Sequence, residues 1–215
     1  MKKSDVMAVF SAFQLDNPEP RGELSFRNPF ELLVAVVLSA QATDKVVNQV
    51  TPTLFAVAPD PRAMVELGEE GISRHIRRIG LYHTKARNID HLCHDLLTKF
   101  DGQVPDRREA LESLPGVGRK TANVVLNIIF RQPTVAVDTH VFRVANRTGL
   151  ASGKTPAQVE KILLVTIPPQ FLLHAHHWLI LHGRHVCQAR RPRCAACLIR
   201  RWCAIGKNLP ETPSP

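Results

Sequence analysis

The sequence predicts an all-α protein, and three observations support that fold class. Apolar residues recur at helical spacing along most of the chain, and residues that cap helix starts precede several of these stretches. No stretch alternates apolar and polar residues between turn signals, as a half-buried strand would. The 215 residues suffice for one large domain or two small domains, each with a real core.

The first half of the chain contains several predicted helices. Pro29 to Gln41 is almost entirely apolar, which predicts a central helix buried on all sides. Asp60 followed by Pro61 is typical of an N-cap and a first helical residue. Thr84 to Phe100 carries an apolar stripe of helical period. Asp106 with Glu109 predicts a capping box at the next helix.

The second half continues the helical pattern. A second capping box is predicted where Thr155 precedes Pro156. Predicted helices cover Gly118 to Phe130, Thr139 to Arg147, Glu160 to Ile167 and Phe171 to Leu181. The last five residues, Glu211 to Pro215, are predicted to be frayed.

The charge balance is strongly basic and predicts a polyanionic partner. The chain has 28 Lys+Arg against 19 Asp+Glu, a net charge of +9, and a pI near 9.8. Nucleic acid is the first candidate, because phosphate contacts dominate non-specific affinity, and an anionic membrane surface is the alternative. Residues 1–11 lack the apolar core of a secretion signal, and the longest apolar run, Leu32 to Leu38, is too short to span a bilayer. We therefore expect a soluble intracellular protein.

Four cysteines near the C-terminus predict a metal centre. Cys187, Cys194, Cys197 and Cys203 follow the pattern C-x6-C-x2-C-x5-C. In a chain without a secretion signal, such thiolates are more often metal ligands than disulfides. Four thiolates with one close C-x2-C pair can hold an iron–sulfur cluster, whereas zinc sites usually show two close pairs. The spacing favours iron–sulfur and leaves zinc open.

Arginines surround these cysteines and predict a basic loop from Gln188 to Arg193. Such a loop offsets the charge of an anionic cluster and can face a phosphate backbone. The alternative is a solvated charge run, which is common on protein surfaces. The arginines concerned are Arg190, Arg191, Arg193, Arg200 and Arg201.

Residues Leu114 to Ala122, Leu-Pro-Gly-Val-Gly-Arg-Lys-Thr-Ala, lie between two helical stretches. Gly116 and Gly118, on either side of Val117, permit positive φ and a close approach to the backbone. The free N–H groups at the start of the following helix can bind a phosphate. A plain helix–helix turn is the alternative.

Two residues near this segment are candidates for chemistry. Lys120 falls in the first turn of a helix, where a cation is disfavoured, and a neutral amine is a nucleophile that forms a Schiff base with an aldehyde-level carbon. A phosphate contact or a surface charge is the ordinary role of a single lysine. Asp138 opens the next helix, so capping is its default role, but its carboxylate could also take a proton or stabilise a cation.

Five motifs in order resemble the endonuclease III family, the iron–sulfur DNA glycosylase/AP lyases of the helix-hairpin-helix superfamily. The resemblance extends from about Phe30 to Cys203. Its motifs are residues 114–122, Val-Asp-Thr-His-Val at 137–141, the cysteine pattern at 187–203, Leu-Ser-Ala-Gln-Ala-Thr-Asp at 38–44 and Gly-Leu-Tyr-His-Thr-Lys-Ala at 80–86.

The resemblance implies a fold and a cofactor. One domain, residues 22–132, would be a helical barrel with a helix-hairpin-helix motif at about 108–127. The other, residues 1–21 and 133–215, would join the N-terminal helix to the cluster region, with a DNA groove between the domains. The four cysteines would hold a [4Fe–4S] cluster.

The resemblance also implies roles for single residues. Lys120 would displace a damaged base at C1′ with help from Asp138, and the resulting imine would promote β-elimination and a nick on the 3′ side. Gln41 would fill the gap left by the flipped nucleotide, and Leu81 would wedge into the base stack. The partner would be duplex DNA with an oxidised pyrimidine or an abasic site, met by a cytoplasmic, nucleoid-associated monomer. Further DNA contacts would come from Gly116, Val117, Gly118, Arg191 and Arg193.

Three alternatives remain to compare. The adenine-mismatch glycosylase branch shares the cysteine spacing but lacks the catalytic lysine and carries an extra C-terminal domain. A non-catalytic helix-hairpin-helix DNA-binding protein with a structural metal would have no use for Lys120 with Asp138. A zinc-binding regulatory protein would be colourless. His83 lies at a variable point of the Leu81 motif, so the preferred damage stays open.

Overall fold

The computed structural model describes residues 1–208, and within that range all regular structure is helical. This confirms the predicted all-α class. The described chain forms two compact units, one of residues 23–131 and the other of residues 1–22 with the chain from Gln132 onward. These bounds differ by one residue from the predicted 22–132 and 1–21 with 133–215. The predicted frayed end, Glu211 to Pro215, lies outside the described residues.

The unit of residues 23–131 contains six α-helices around one apolar core. They are α2 (Pro29–Leu38), α3 (Asp44–Val57), α4 (Pro61–His75), α5 (Tyr82–Lys99), α6 (Arg108–Glu112) and α7 (Arg119–Ile128). Every residue of α2 from Phe30 to Leu38 is buried, which confirms the expectation of a central helix. The one carboxylate among them, Glu31, accepts hydrogen bonds from the backbone N–H and the guanidinium of Arg27, and these contacts offset the cost of burying its charge.

The second unit joins the N-terminal helix to the C-terminal half of the chain. Its α-helices are α1 (Lys3–Asp16), α8 (Thr139–Thr148), α9 (Pro156–Thr166) and α10 (Pro169–His185), followed by 3-10 turns at Cys194–Ala196, Arg200–Trp202 and Gly206–Asn208. Phe10 stacks on Phe171, Phe13 stacks on Trp178, and the indole N–H of Trp178 donates to Asn17 O at 2.8 Å. These contacts attach α1 to α10 across some 160 residues of sequence.

Two local expectations differ from the structure. The predicted helix to Gln41 ends at Leu38, because Ser39 to Ala42 form a turn before Thr43 caps α3. The cap predicted at Asp106 falls one residue too early, because α6 begins after Arg107, whose side chain makes no cap hydrogen bond. The caps at Asp60 and Thr155 are confirmed, since each side chain accepts from a backbone N–H three residues on.

No helix within residues 1–208 is long and apolar enough to cross a membrane.

Candidate functional site

The turn between α6 and α7 is anchored by two apolar side chains. Leu114 is 2 % exposed and Val117 is 6 % exposed, and both belong to the core of their unit. The backbone N–H of Val117 donates to Leu114 O at 3.1 Å. Because both its side chain and its N–H are engaged, we assign Val117 to packing the turn, and only its neighbours remain candidates for a phosphate contact.

The two glycines of this turn have different structural roles. Gly116 has φ +78°, and a Cβ there would lie 3.1 Å from the Cβ of Asn88, so the fold itself requires glycine. Gly118 has φ −99°, which any residue adopts, and a Cβ there would meet nothing within 4 Å. Neither backbone conformation nor packing therefore requires glycine at position 118, and the space beside it is open to a ligand.

Replacing Gly118 with Ala is expected to weaken DNA binding about tenfold without lowering the melting temperature by more than a degree or two. A methyl group would occupy the space next to the first N–H groups of α7. Alanine is a poorer N-cap than glycine, but at φ −99° it also loses less chain entropy on folding, so the two effects on stability largely cancel. Binding titration and thermal melting measure the two effects.

Gly116→Ala is the matched control. Its positive φ and its contact with Asn88 predict a clear loss of stability. If Gly118→Ala binds DNA as tightly as the unaltered protein, the phosphate role of this turn is contradicted.

Lys120 lies in the first turn of α7, two residues after the N-cap Gly118. Its side chain is exposed, and no hydrogen bond or ion pair to it is found among residues 1–208. The first N–H groups of a helix have no partner within it, and Gly118 offers no capping side chain. Lys120 therefore lies at a helix end whose backbone donors favour an anion.

Asp138 caps α8, which confirms the capping role expected for it. Its Oδ1 accepts from the N–H of His140 at 2.9 Å and of Val141 at 2.8 Å. Both bonds use the same oxygen, so Oδ2 lies outside the cap. The side chain is half-buried, and the cap holds it in one orientation. A carboxylate fixed in this way is also suited to act on a bound substrate.

Gln41 and Leu81 each project from a tight turn of the unit formed by residues 23–131. Both side chains are exposed, Leu81 by 62 %. Their φ values are 58° and 60°, in the left-handed region that residues other than glycine rarely adopt. Strained backbone of this kind persists only where the surrounding structure holds it in place, and such positions are concentrated at functional sites.

The four C-terminal cysteines line a single cavity, together with His182 and Arg200. Burial raises the pKa of the Cys197 thiol to about 11, and repulsion from the other three cysteines adds to the effect. No three His, Cys, Asp or Glu side chains among the described residues are close enough to hold one metal ion. Because these four thiols disfavour each other's deprotonation, they can all become thiolates only if positive charge lies between them. A cavity lined by four cysteines therefore fits the donor set of a metal cluster. The fifth cysteine, Cys93, is buried in the core of its own unit.

Arginines of α8, which were not among the predicted site residues, hold the start of the basic loop. Arg147 donates to Gln188 O and to Ala189 O, both at 2.7 Å. Arg143 donates to Cys187 O at 2.9 Å and to Gly183 O at 2.7 Å. The i, i+4 spacing of the two arginines predicts that they lie on one face of α8, but it does not indicate what they contact. Arg191 and Arg193 themselves are exposed.

His182 was also missed by the sequence analysis. Its Nε2 lies 3.7 Å from Cys197 Sγ, and its ring packs edge-on against Phe13. Burial lowers the pKa of His182 to about 4, so the ring is neutral at physiological pH. A neutral imidazole with one N–H can donate to a thiolate, a contact that tunes sulfur ligands in metal centres. A histidine among apolar residues carries no sequence signal for this position.

A glycine turn that leads into a helix with free N–H groups, within an all-helical fold, is typical of helix-hairpin-helix DNA-binding proteins. The family described as "HhH-GPD superfamily base excision DNA repair protein" matches residues 34–169. Endonuclease III of Haemophilus influenzae is 53 % identical over 209 residues, covering 97 % of this chain and 99 % of that protein. Endonuclease III of Treponema pallidum is 59 % identical over 198 residues, covering 92 % and 94 %.

Solved structures agree with these relatives. A trapped endonuclease III–DNA covalent intermediate has a TM-score of 0.90 and 44 % identity, covering 96 % of this chain and 98 % of that one. A thermostable thymine-DNA glycosylase, at 21 % identity and a TM-score of 0.83, shares the fold. The chain therefore belongs to the endonuclease III family, and it is a DNA glycosylase/AP lyase of base excision repair.

Proposed function

We propose that this protein removes oxidised pyrimidines from duplex DNA through a Schiff base on Lys120 and then nicks the strand 3′ to the abasic site. The observation that carries the proposal is the position of Lys120, an exposed amine directly after a turn that is open to a phosphate at Gly118. A covalent intermediate trapped between a related endonuclease III and DNA supports a covalent route.

The chemistry follows from an amine meeting the C1′ carbon. Lys120 Nζ forms a bond to C1′ while the bond to the base breaks and the base leaves with the electron pair. The sugar ring opens to an imine, which acidifies the C2′ proton, so loss of that proton expels the 3′ phosphate. Asp138 assists by stabilising the cationic intermediates and moving protons. The base must leave the stack first, because stacked duplex denies access to C1′.

Gln41 and Leu81 are proposed to make that extrusion possible. The Leu81 side chain is 62 % exposed, so it breaks few packing contacts when it moves into the duplex, and it places apolar surface between bases. Gln41 supplies polar groups for the base left unpaired. We further propose that the protein acts as a monomer and meets its substrate on the nucleoid.

Cys187, Cys194, Cys197 and Cys203 are proposed to hold a [4Fe–4S] cluster. Their shared cavity and mutual repulsion support a multiply charged metal group. When bound, the cluster cross-links chain segments and supplies no electron to the reaction, since base excision needs none. Together with Arg147 it fixes the loop from Gln188 to Arg193 as a basic surface.

Replacing Arg191 and Arg193 together with Ala is expected to lower DNA affinity and to reduce the slope of log K against log salt by about one unit per lost phosphate contact. Stability should be unchanged, because both side chains are exposed.

Cys194→Ser should instead lower stability and affinity together, since it loosens the whole loop. Binding across a salt series, with thermal melting, measures these effects.

Lys3→Ala with Lys161→Ala is the matched control for that double variant. Both lysines are exposed in the same unit, so the control removes the same charge. An unchanged salt slope in the arginine double variant would mean that the loop balances the charge of the cluster and does not touch DNA.

Reductive trapping tests the proposed function itself. With borohydride and a duplex holding one oxidised pyrimidine, we expect a covalent protein–DNA adduct, because reduction fixes the imine as an amine. In a parallel reaction without borohydride, we expect the 3′ nick. A non-catalytic helix-hairpin-helix binding protein would bind the same duplex and form no adduct, which would refute the proposal. A colourless protein that retains zinc would refute the cluster assignment alone, because an iron–sulfur cluster absorbs visible light.

A further inference from the structure

The turns that carry Gln41 and Leu81 are both strained and must be held by something else. Each residue has a left-handed backbone conformation, with φ of 58° and 60°. Gln and Leu are not among the non-glycine residues that adopt this region most readily. Both side chains are exposed, so packing of their own side chains does not stabilise the conformation. Support has to come from neighbouring residues.

Lys85 is bonded to both segments. Its backbone N–H donates to Leu81 O at 3.0 Å in the first turn of α5. Its ammonium Nζ donates to Leu38 O at 2.8 Å and to Ala40 O at 2.5 Å. Leu38 ends α2, and Ala40 immediately precedes Gln41. One residue thus connects the backbone of the two turns across about 40 positions of sequence.

A buried lysine is an unusual choice for a structural link. Lys85 is 6 % exposed, and its two acceptors are carbonyls rather than a carboxylate. Burial lowers the pKa of its amine, which expresses the cost of desolvating the cation. The negative end of the α2 dipole offsets part of that cost. A long apolar side chain would fill the same space without this desolvation cost. The hydrogen-bond donors of the Lys85 ammonium group are therefore the feature that needs an explanation.

We propose that Lys85 is a positioning residue that holds the Gln41 turn and the Leu81 turn at a fixed separation, so that both side chains enter the duplex together. This inference rests on the proposed roles of Gln41 and Leu81. A wedge and a gap-filler act on adjacent positions of one base stack, so their spacing has to match the duplex. If the turns moved independently, part of the binding free energy would be spent on ordering them.

The test compares binding to two duplexes, one holding a stable abasic-site analogue and one undamaged. Lys85→Met removes the ammonium and keeps a long unbranched side chain. We expect its affinity for the analogue to fall about tenfold, the effect of losing a charged hydrogen bond, with affinity for undamaged duplex unchanged. Lys45→Met is the matched control, because it removes the same charge from an exposed position four residues after Gln41. It should lower both affinities alike or neither.

Leu81→Gly separates this inference from the function on which it rests. Glycine adopts φ 60° without strain, so this variant loses only the wedge. If Leu81→Gly still prefers the analogue as the unaltered protein does, the proposed role of the turns fails whatever Lys85 does. If Leu81→Gly loses the preference and Lys85→Met keeps it, or if Lys85→Met loses both affinities equally, the positioning role of Lys85 is overturned.

Lys85→Arg keeps the experiment decisive if Lys85→Met does not fold. Arginine retains the charge and donors in a wider planar group, so the fold should survive while the spacing of the turns changes. We expect a several-fold loss of preference for the analogue. Fluorescence of 2-aminopurine placed beside the analogue reports unstacking directly, and it should fall with that preference. Unaltered preference and fluorescence in this variant would overturn the proposal.

Discussion

Lys120→Gln is expected to abolish both base release and strand nicking, by a factor on the order of 10⁴ or more. An amide cannot attack C1′ or form an imine, so the covalent route closes. The side chain is exposed, so its loss should not unfold the protein. DNA affinity should fall little, because one charge among many phosphate contacts is a small loss. Borohydride trapping and single-turnover assays on damaged duplex measure the effect.

Arg119→Gln is the matched control for this change. Arg119 precedes Lys120 in the same turn of α7, so the control removes the same charge from the same helix end. We expect it to keep a full yield of trapped adduct. A borohydride-stable adduct formed by the Lys120→Gln protein would show that another amine is the nucleophile, and the assignment would be wrong.

Asp138→Asn is expected to slow catalysis by about 10²–10⁴, the usual scale for a general acid–base group. The structure makes this substitution a clean test. The Asn side-chain oxygen can accept the two cap bonds that Oδ1 accepts from His140 and Val141, so α8 should remain intact. The melting temperature should therefore stay near that of the unaltered protein while the single-turnover rate falls.

A second N-cap provides the control for Asp138. Asp60 caps α4 by accepting from the N–H of Ala63 at 2.9 Å, so Asp60→Asn makes the same chemical change at an ordinary cap. It should leave the rate unaltered. If Asp138→Asn also kept the full rate, the cap would be the whole role of that carboxylate.

Local patterns in the sequence were sufficient to predict most of the helices. Caps such as Asp60 and Thr155 act within three residues, and helical periodicity acts within about two turns, so both are readable without the fold. Helix ends were predicted less well: α6 begins one residue after the position expected from Asp106, and α2 ends three residues before Gln41, since a local pattern fixes a helix end only to within a few residues.

The motif resemblance was sufficient to indicate the family, the fold class and the reaction. Motifs carry this information because the roles proposed for Lys120, Asp138 and the four cysteines each need one residue type at one position. The resemblance did not distinguish roles within a motif. Gly116 is required by backbone and packing, Val117 by the core, and Gly118 by neither. That separation needed the positions of neighbouring atoms such as those of Asn88.

The chain by itself determined a basic, all-helical protein with a lysine, a carboxylate and four thiols in a recognisable order. Only the tertiary structure decided which distant residues support them. Arg147 reaches the loop after Cys187, His182 approaches Cys197, and Lys85 joins the turns of Gln41 and Leu81. The physical reason is that caps and periodicity depend on neighbours along the helix. A hydrogen bond across 40 residues depends instead on where packing brings two segments together, which no local spacing encodes.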